Sequence, residues 1–369
     1  MSEDIEIVRL IRSDLAAFVG YRSRKPPGTL AEQLRFSSES VIKLDANENP
    51  YGCSPRVTRA LACCDCLNTY YDASQTELRG LIEGYVGVGA EHIVAGNGSC
   101  ELIDLLVRLF VAPGDEVICC VPTFMMYRFS TQMYGGRPVE VRRSKDFAIN
   151  VDAVRAAINP KTKMILIDNP NNPGGILTSE KDILRLADTG LPLLVDEAYF
   201  EFGGETVAPL VSKYPNLMVL RTFSKWAGLA GLRIGYGLFP PQVADCLLKV
   251  KLPYNMSMVA LIAVRESLKD RDYLMNNVRM IIKERERLFA GLQELGFLTP
   301  MPSRANFILC SVQNGMANKL QQGLQKKGIQ VRYFDAPLLA DYIRISVGKP
   351  EHTDALIPAL REVWEEING

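Results

Sequence analysis

Histidine is nearly missing from this 369-residue chain, which holds only His92 and His352. A zinc site draws on paired Cys-x2-Cys or Cys/His units, so the group Cys63, Cys64 and Cys66 lacks partners, and no metal centre is expected. Net charge is absent too, because 42 Lys and Arg balance 42 Asp and Glu. No general field is left to attract a nucleic acid or an anionic membrane, so neither is expected as a partner, and any anion must be read by a few placed groups. No apolar run approaches the ~18–20 residues needed to span a bilayer. The first residues, Met1 to Glu6, are acidic and carry neither an h-region nor a basic transit-peptide character, which predicts a cytoplasmic protein. The 9 cysteines are odd in number, and Cys119 and Cys120 sit together in an apolar stretch. They are expected as reduced, mostly buried thiols.

What is present is ordinary in bulk, with 47% apolar and 23% charged residues, and the chain is long enough to split into two domains. Val117–Val121, Lys163–Ile167, Leu193–Asp196, Leu217–Arg221 and Ile234–Leu238 are short, nearly continuous apolar runs that read as buried strands. Between them lie helical patterns at Glu101–Phe110, Phe124–Tyr134, Ser179–Ala187 and Gln242–Val250. Strands alternating with helices predict an α/β fold with a mostly parallel sheet covered on both faces. From Leu274 the rhythm changes. Val278, Ile281, Ile282, Leu288, Phe289, Leu292 and Leu295 recur at helical spacing, with Gly296 as a C-cap. Strands at Phe307–Val312, Gln330–Phe334 and Tyr342–Val347, with helices at Asn318–Lys326 and from Glu351, predict a small α+β unit. The expected organisation is an N-terminal arm at 1–50 that joins the small unit, a large domain at 51–273 and a small domain at 274–369.

Ligands of such sheets bind at the carboxyl ends of the strands, so the residues that follow each strand carry the interest. Gly96-Asn97-Gly98-Ser99-Cys100-Glu101 opens a helix, which suits a phosphate or serves as a plain turn and cap. Asp168-Asn169-Pro170-Asn171-Asn172-Pro173-Gly174-Gly175 is rich in turn formers. Asp196, at a buried strand end, calls for a cationic partner or acts as a helix cap. Arg221-Thr222-Phe223-Ser224-Lys225 then brings a lysine, followed by Arg233 eight residues later. Any one of these is unremarkable, yet successive strand ends converge on one crevice.

As a set, the residues resemble the fold-type I pyridoxal 5′-phosphate (PLP) enzymes of the aspartate aminotransferase superfamily, and within it the histidinol-phosphate aminotransferases. The resemblance runs from Lys43-Leu44-Asp45-Ala46-Asn47-Glu48-Asn49-Pro50-Tyr51-Gly52 to Val347-Gly348-Lys349-Pro350-Glu351. Its most specific piece is Ser224-Lys225 with Gly231-Leu232-Arg233-Ile234-Gly235-Tyr236. The resemblance implies that Lys225 holds the cofactor aldehyde as an imine and later shuttles the substrate proton. It also implies Asp196 on the pyridine nitrogen, keeping the ring an electron sink, and Asn172 and Tyr199 on the 3′-oxygen. The cofactor phosphate would take backbone amides near Ser99, Cys100 and Glu101, the hydroxyls of Thr222 and Ser224, and Arg233. Phe124 would stack on the ring, and Tyr71 would cross from a neighbouring subunit of a homodimer. Arg344 resembles the family's carboxylate clamp, where a planar guanidinium fork is required. Arg332 resembles the arginine that reads the substrate phosphate. Tyr21 resembles a tyrosine that reaches the same phosphate, the alternative being a solvated residue of the arm.

The sequence departs from the family pattern at Gly174, where Thr is usual, at Cys100, where Asp is usual, at Phe124, where Tyr is common, and at Trp226, where a smaller residue is frequent. The activity implied is transamination between L-histidinol phosphate and 2-oxoglutarate, giving imidazole acetol phosphate and glutamate. The alternatives on the same fold are a threonine-phosphate decarboxylase, an aromatic amino-acid aminotransferase and a non-catalytic binding protein. Retention of every group that the chemistry requires weighs against the last.

Overall fold

The computed structural model describes residues 7–16, 18, 20 and 41–368. Its strands, in chain order, are β1 (Ile42–Leu44), β2 (Ile93–Asn97), β3 (Glu116–Val121), β4 (Arg137–Arg142), β5 (Thr162–Asp168) and β6 (Leu193–Asp196). They continue with β7 (Leu217–Thr222), β8 (Ile234–Leu238), β9 (Leu298–Pro300), β10 (Phe307–Val312), β11 (Ile329–Tyr333) and β12 (Tyr342–Ser346). A seven-stranded sheet has the order β2-β8-β7-β6-β5-β3-β4, and a five-stranded sheet the order β1-β11-β12-β10-β9.

In the larger sheet β3 to β7 run parallel, while β8 is antiparallel to both β7 and β2. Alternate residues face opposite ways. Ile118, Ile165, Val195 and Val219 enter one core, whereas Val117, Cys119, Met164, Leu166, Leu194 and Met218 enter the other. Both faces are therefore dry, which is why these strands read as continuous apolar runs. The expected α/β fold with a largely parallel, doubly covered sheet is what forms.

Differences concern edges and short strands. The strand β4 lies at the sheet edge and carries Arg137, Pro138, Glu140 and Arg142, so it offers no apolar run to read. The helix Met258–Lys269, capped by the Ser257 hydroxyl, begins with an apolar run whose period is ambiguous between helix and strand. The long helix spans Arg271–Gln293 as one 23-residue element, so the division expected between 273 and 274 falls inside its first turn. Its cap is Glu294, and Gly296 takes its positive φ of +71° two residues later. The N-terminal segment joins the small sheet through β1, which pairs in parallel with β11, Ile42 opposite Ile329.

A buried ion pair fixes the ends of β6 and β7 beside each other. Arg221 Nη2 donates to Glu197 Oε2 at 2.9 Å, and Thr206 Oγ1 donates to the same oxygen at 2.6 Å. The Val207 amide reaches Glu197 Oε1 at 2.8 Å, while the guanidinium lies 3.7 Å from the Phe200 ring centroid. Among the described residues the arginine at the end of β7 pairs with Glu197 and not with Asp196. Both members of this pair are buried, so removing one strands the other's charge. Glu197→Ala is expected to cost about 3–5 kcal/mol and to lower the thermal unfolding midpoint, with Glu197→Gln losing clearly less.

Candidate active site

A cavity of about 420 Å³ opens at the carboxyl ends of β5, β6 and β7. Ser99 and Cys100 enter it from the N-terminus of the helix Ser99–Phe110, Phe124 from the segment after β3, and Asn172 from the loop after β5. Asp196 and Tyr199 come from the end of β6, and Thr222, Ser224, Lys225 and Arg233 from the turn between β7 and β8. Arg344 reaches in from β12 of the other sheet. The crevice read from successive strand ends is thus a single space, closed on one side by the segment 43–48.

An anion cradle occupies one end. Gly98, at φ +81°, caps the helix, and a Cβ there would overlap the Arg233 guanidinium. A Cβ on Gly235 would overlap the Ser99 backbone nitrogen. Both glycines let the first turn of the helix and Arg233 approach one point, where the amides of Ser99 and Cys100 are donors without helical acceptors. Arg233 holds the left-handed conformation, φ +53°, and Nη1 donates to the Ala230 carbonyl at 3.2 Å. The Thr222 hydroxyl donates to the Ile234 carbonyl and accepts from the Ser224 amide, both at 3.0 Å. It braces the turn that carries Ser224 and Lys225.

At the centre, Lys225 Nζ donates to the Ala46 carbonyl at 3.1 Å. Asp196 lies at the buried end, accepting from the Tyr127 hydroxyl at 3.1 Å and the Ala198 amide at 3.0 Å. Burial, reinforced by the nearby Asp168 carboxylate, pushes Asp196 up to about 7. Tyr127, wholly buried and edge-on to Phe124, was not anticipated, since a tyrosine on an apolar helix face carries no mark of its partner. The Tyr199 hydroxyl accepts from Asn47 Nδ2 at 3.0 Å and from Asn172 Nδ2 at 3.4 Å. Burial raises the Tyr199 pKa, opposed by the charge of Arg344 and the hydrogen bond from Asn47.

Asp168 is the second unanticipated member. Its Oδ1 accepts from Arg143 Nη2 and from Asn171 Nδ2, both at 2.8 Å, and its Oδ2 accepts from the Asn172 amide at 2.8 Å. The carboxylate therefore shapes the loop that presents Asn172. Arg344 Nη1 donates to Asn172 Oδ1 at 2.6 Å, and Nη2 to the Asp45 carbonyl at 2.8 Å.

Several expected residues sit elsewhere. Arg332 does not line the cavity but stands directly opposite Arg344 in the β11–β12 ladder, with its guanidinium 5.3 Å from the Phe334 ring centroid. Glu101 turns away, accepting from the Asn97 amide and from Asn255 Nδ2, while its own amide donates to the Gly98 carbonyl at 3.2 Å. It closes the turn rather than the cradle. Tyr71 is buried, and its hydroxyl accepts from the Leu78 amide at 3.0 Å, so it is held within its own subunit. Its neighbour Tyr70 is 82% exposed and stacks on Tyr254, ring centroids 4.6 Å apart. Tyr21 lies outside the described residues. Among the described residues no cluster of three His, Cys, Asp or Glu side chains could hold a metal ion, and all nine cysteines are free.

A lysine amine, a buried carboxylate and an anion cradle around one cavity define a group-transfer site for a phosphorylated aldehyde cofactor. The chain belongs to the class I and II aminotransferases, whose family model matches residues 39–360. It is 50% identical to a histidinol-phosphate aminotransferase of Dehalococcoides mccartyi strain CBDB1, over 97% of this chain and 98% of that one. A histidinol-phosphate aminotransferase of Roseiflexus castenholzii is 45% identical over 97% of this chain and 99% of its own. Among solved structures, the histidinol-phosphate aminotransferase of Sinorhizobium meliloti in complex with pyridoxal 5′-phosphate superposes with a TM-score of 0.86 at 27% identity, covering 96% of this chain and 100% of that one.

The donor set fits pyridoxal 5′-phosphate. Gly98 and Gly235 leave room where Ser99, Cys100 and Arg233 meet, which would suit its phosphate, and Asp196 and Lys225 line the same cavity. The raised pKa of Asp196 has a consequence for the cofactor-free protein. Its proton is bound more tightly in the folded state, so the stability it contributes is complete below about pH 4 and is lost as pH rises through about 7. Asp196→Asn removes that slope. At pH 8 the cofactor-free variant is expected to be more stable than wild type by on the order of 2–4 kcal/mol, a gap that closes toward pH 4 in thermal unfolding scans.

Proposed function

We propose that this chain is a PLP-dependent aminotransferase that moves an amino group between L-histidinol phosphate and 2-oxoglutarate, with imidazole acetol phosphate and glutamate on the other side. The observation that carries the substrate is the register of Arg332 against Arg344. Arg344 lines the cavity and Arg332 is its neighbour across the ladder, so a doubly charged phosphate held by Arg344 has a second guanidinium on the adjacent strand. A single arginine would suffice for an α-carboxylate alone.

When bound, the cofactor supplies an aldehyde for covalent attachment and an electron sink for the charge that develops at the substrate carbon. Lys225 Nζ, held by the Ala46 carbonyl, takes the proton from that carbon and returns it on the other side of the reaction. Asp196 would take the ring nitrogen and balance its positive charge, with Tyr127 donating to the carboxylate from behind. Asn172 and Tyr199 are placed to donate to the ring oxygen. The Ser99 and Cys100 amides, Ser224 and Arg233 would anchor the phosphate, and Phe124 would cover the ring. Arg344, already oriented by Asn172 and Asp45, takes the α-carboxylate of glutamate or, with Arg332, the phosphate of the other substrate.

The working unit in this reading is a cytoplasmic homodimer. Nine free thiols suit a reducing compartment. The exposed Tyr70–Tyr254 pair, with exposed Leu67 and Leu252 in the same two loops, supports a subunit contact through which Tyr70, rather than Tyr71, reaches the neighbouring site.

Two outcomes test the reading. The PLP-loaded protein is expected to form glutamate from L-histidinol phosphate and 2-oxoglutarate in a coupled assay, and Lys225→Ala to lose that activity by at least about 10³-fold. Release of CO2 without glutamate would sink the transaminase in favour of a decarboxylase. Arg332→Ala is expected to raise KM for L-histidinol phosphate by about tenfold or more while moving KM for glutamate little. Equal shifts would remove Arg332 from phosphate recognition.

A further inference from the structure

The segment Lys43 to Glu48 closes one side of the cavity and is fastened to the site at several points. The Ala46 carbonyl takes Lys225 Nζ at 3.1 Å. Asn47, at φ +55°, sends Nδ2 to the Tyr199 hydroxyl at 3.0 Å. On either side of these anchors stand Lys43 and Glu48, and both side chains line the cavity. They face each other as an ion pair, Lys43 Nζ lying 2.6 Å from Glu48 Oε1 and 2.7 Å from Oε2. Their side chains are 26% and 44% exposed. The other carboxylates of the wall are engaged behind it, Asp168 by Arg143 and Asp196 by Tyr127. The Lys43–Glu48 salt bridge is built differently, because an exposed pair is worth little net and either partner can be exchanged for another at small cost.

The substrates of the proposed transamination set a recognition problem. Each carries two arms on the reacting carbon. One arm is anionic in both, a phosphate ester in histidinol phosphate and a carboxylate in glutamate, and it goes to Arg344. The second arm differs in kind: an imidazole with an N–H to donate in one substrate, a second carboxylate in the other. One wall must accept both in turn. A lone carboxylate there would repel glutamate, and a lone ammonium would repel the imidazolium form. A lysine and a glutamate side by side present both signs from one anchored segment.

We propose that Lys43 and Glu48 form the specificity subsite for the second arm. Glu48 accepts the imidazole N–H of histidinol phosphate, and Lys43 takes the side-chain carboxylate of glutamate and 2-oxoglutarate. Each substrate displaces one half of the salt bridge. This inference rests on the transaminase reading above and adds to it which residues tell the two substrates apart.

The test compares KM and kcat of the PLP-loaded wild type, Glu48→Gln and Lys43→Met for L-histidinol phosphate and for glutamate, with thermal midpoint and bound PLP measured for each. Glu48→Gln is expected to raise KM for L-histidinol phosphate by about tenfold and to change KM for glutamate by less than about threefold. Lys43→Met is expected to do the reverse. Glu48→Asp, which keeps the charge on a shorter stem, is expected to recover part of the loss. A salt bridge that only pins the segment predicts something else: either variant would loosen Ala46 and Asn47, lowering kcat for both substrates alike. Parallel shifts in both substrates, or no shift in either, overturn the subsite while leaving the transaminase intact. A wild type that forms no glutamate from L-histidinol phosphate refutes the parent reading instead, before any variant is compared.

Discussion

The hydrogen bond from Arg344 Nη1 to Asn172 Oδ1, 2.6 Å long, ties the two sheets together over the cavity. Arg344 sits on β12 of the small sheet, Asn172 on the loop that leaves β5 of the large one. A second tie runs beside it through Asn47, whose side chain bonds Tyr199 and whose main chain accepts from Asn306 Nδ2 at 3.0 Å and donates to Ser346 Oγ at 2.8 Å. The group that orients a substrate anion and the groups that orient the ring are thereby one hydrogen-bonded unit. Proximity catalysis needs this, because a displacement of about 1 Å between substrate and catalytic group can cost about 10²-fold in rate. A sheet-to-sheet shift would move Arg344 and Asn172 in opposite directions, so the tie makes any domain motion a property of the site.

Within that frame, two carboxylates at adjacent strand ends are assigned different work by their partners. Asp168 and Asp196 are directly opposite in the β5–β6 ladder. Arg143 supplies a buried cation to Asp168 at 2.8 Å, whereas among the described residues Asp196 receives only the neutral Tyr127 hydroxyl and the Ala198 amide. Burial, with the Asp168 carboxylate nearby, leaves Asp196 with a pKa of about 7. A carboxyl poised there, rather than locked by an arginine, remains available to the cationic nitrogen of a bound ring. Two carboxylates given different partners divide the work of a site. Here the division is made by where one arginine, Arg143, is planted.

The sequence was most legible where burial and chemistry coincide. The central strands are dry on both faces, so they appear as apolar runs, and the ligand-facing residues follow each run immediately. Lys225, Asp196 and Asn172 stand just beyond such runs, whereas Arg344, inside β12, is legible only through the family resemblance. What could not be read are relations between distant segments that leave no periodic trace. Tyr127 looks like core, and only the fold brings it to Asp196. Arg143 follows an edge strand with no apolar pattern, yet its side chain is buried against Asp168. Tyr70 and Tyr71 are adjacent and identical in type, and which of them turns inward depends on whether a hydroxyl finds the Leu78 amide. Glu101 follows Ser99 and Cys100 in sequence, but a glutamate three residues beyond a helix cap bonds back to the preceding turn for reasons local to the helix.

One departure from the family pattern, at Gly174, follows from a buried turn. Where Thr is usual the chain has Gly174, and a Cβ at that position would lie 2.7 Å from Asn171 Oδ1 and 2.8 Å from Phe147 Cδ1. Phe147 is buried, adopts φ +63°, and packs edge-on against Tyr342 at 5.9 Å between centroids. Its carbonyl accepts from Arg143 Nη1 at 3.1 Å. The turn 143–147 thus meets the loop after β5 twice, through Arg143 on Asp168 and through the Phe147 ring in the space a threonine would fill. Restoring Thr at 174 without changing Phe147 would force these apart and loosen the loop that carries Asn172. The glycine is therefore the other half of a packing choice made at Phe147, and the missing hydroxyl marks a different support for the same asparagine.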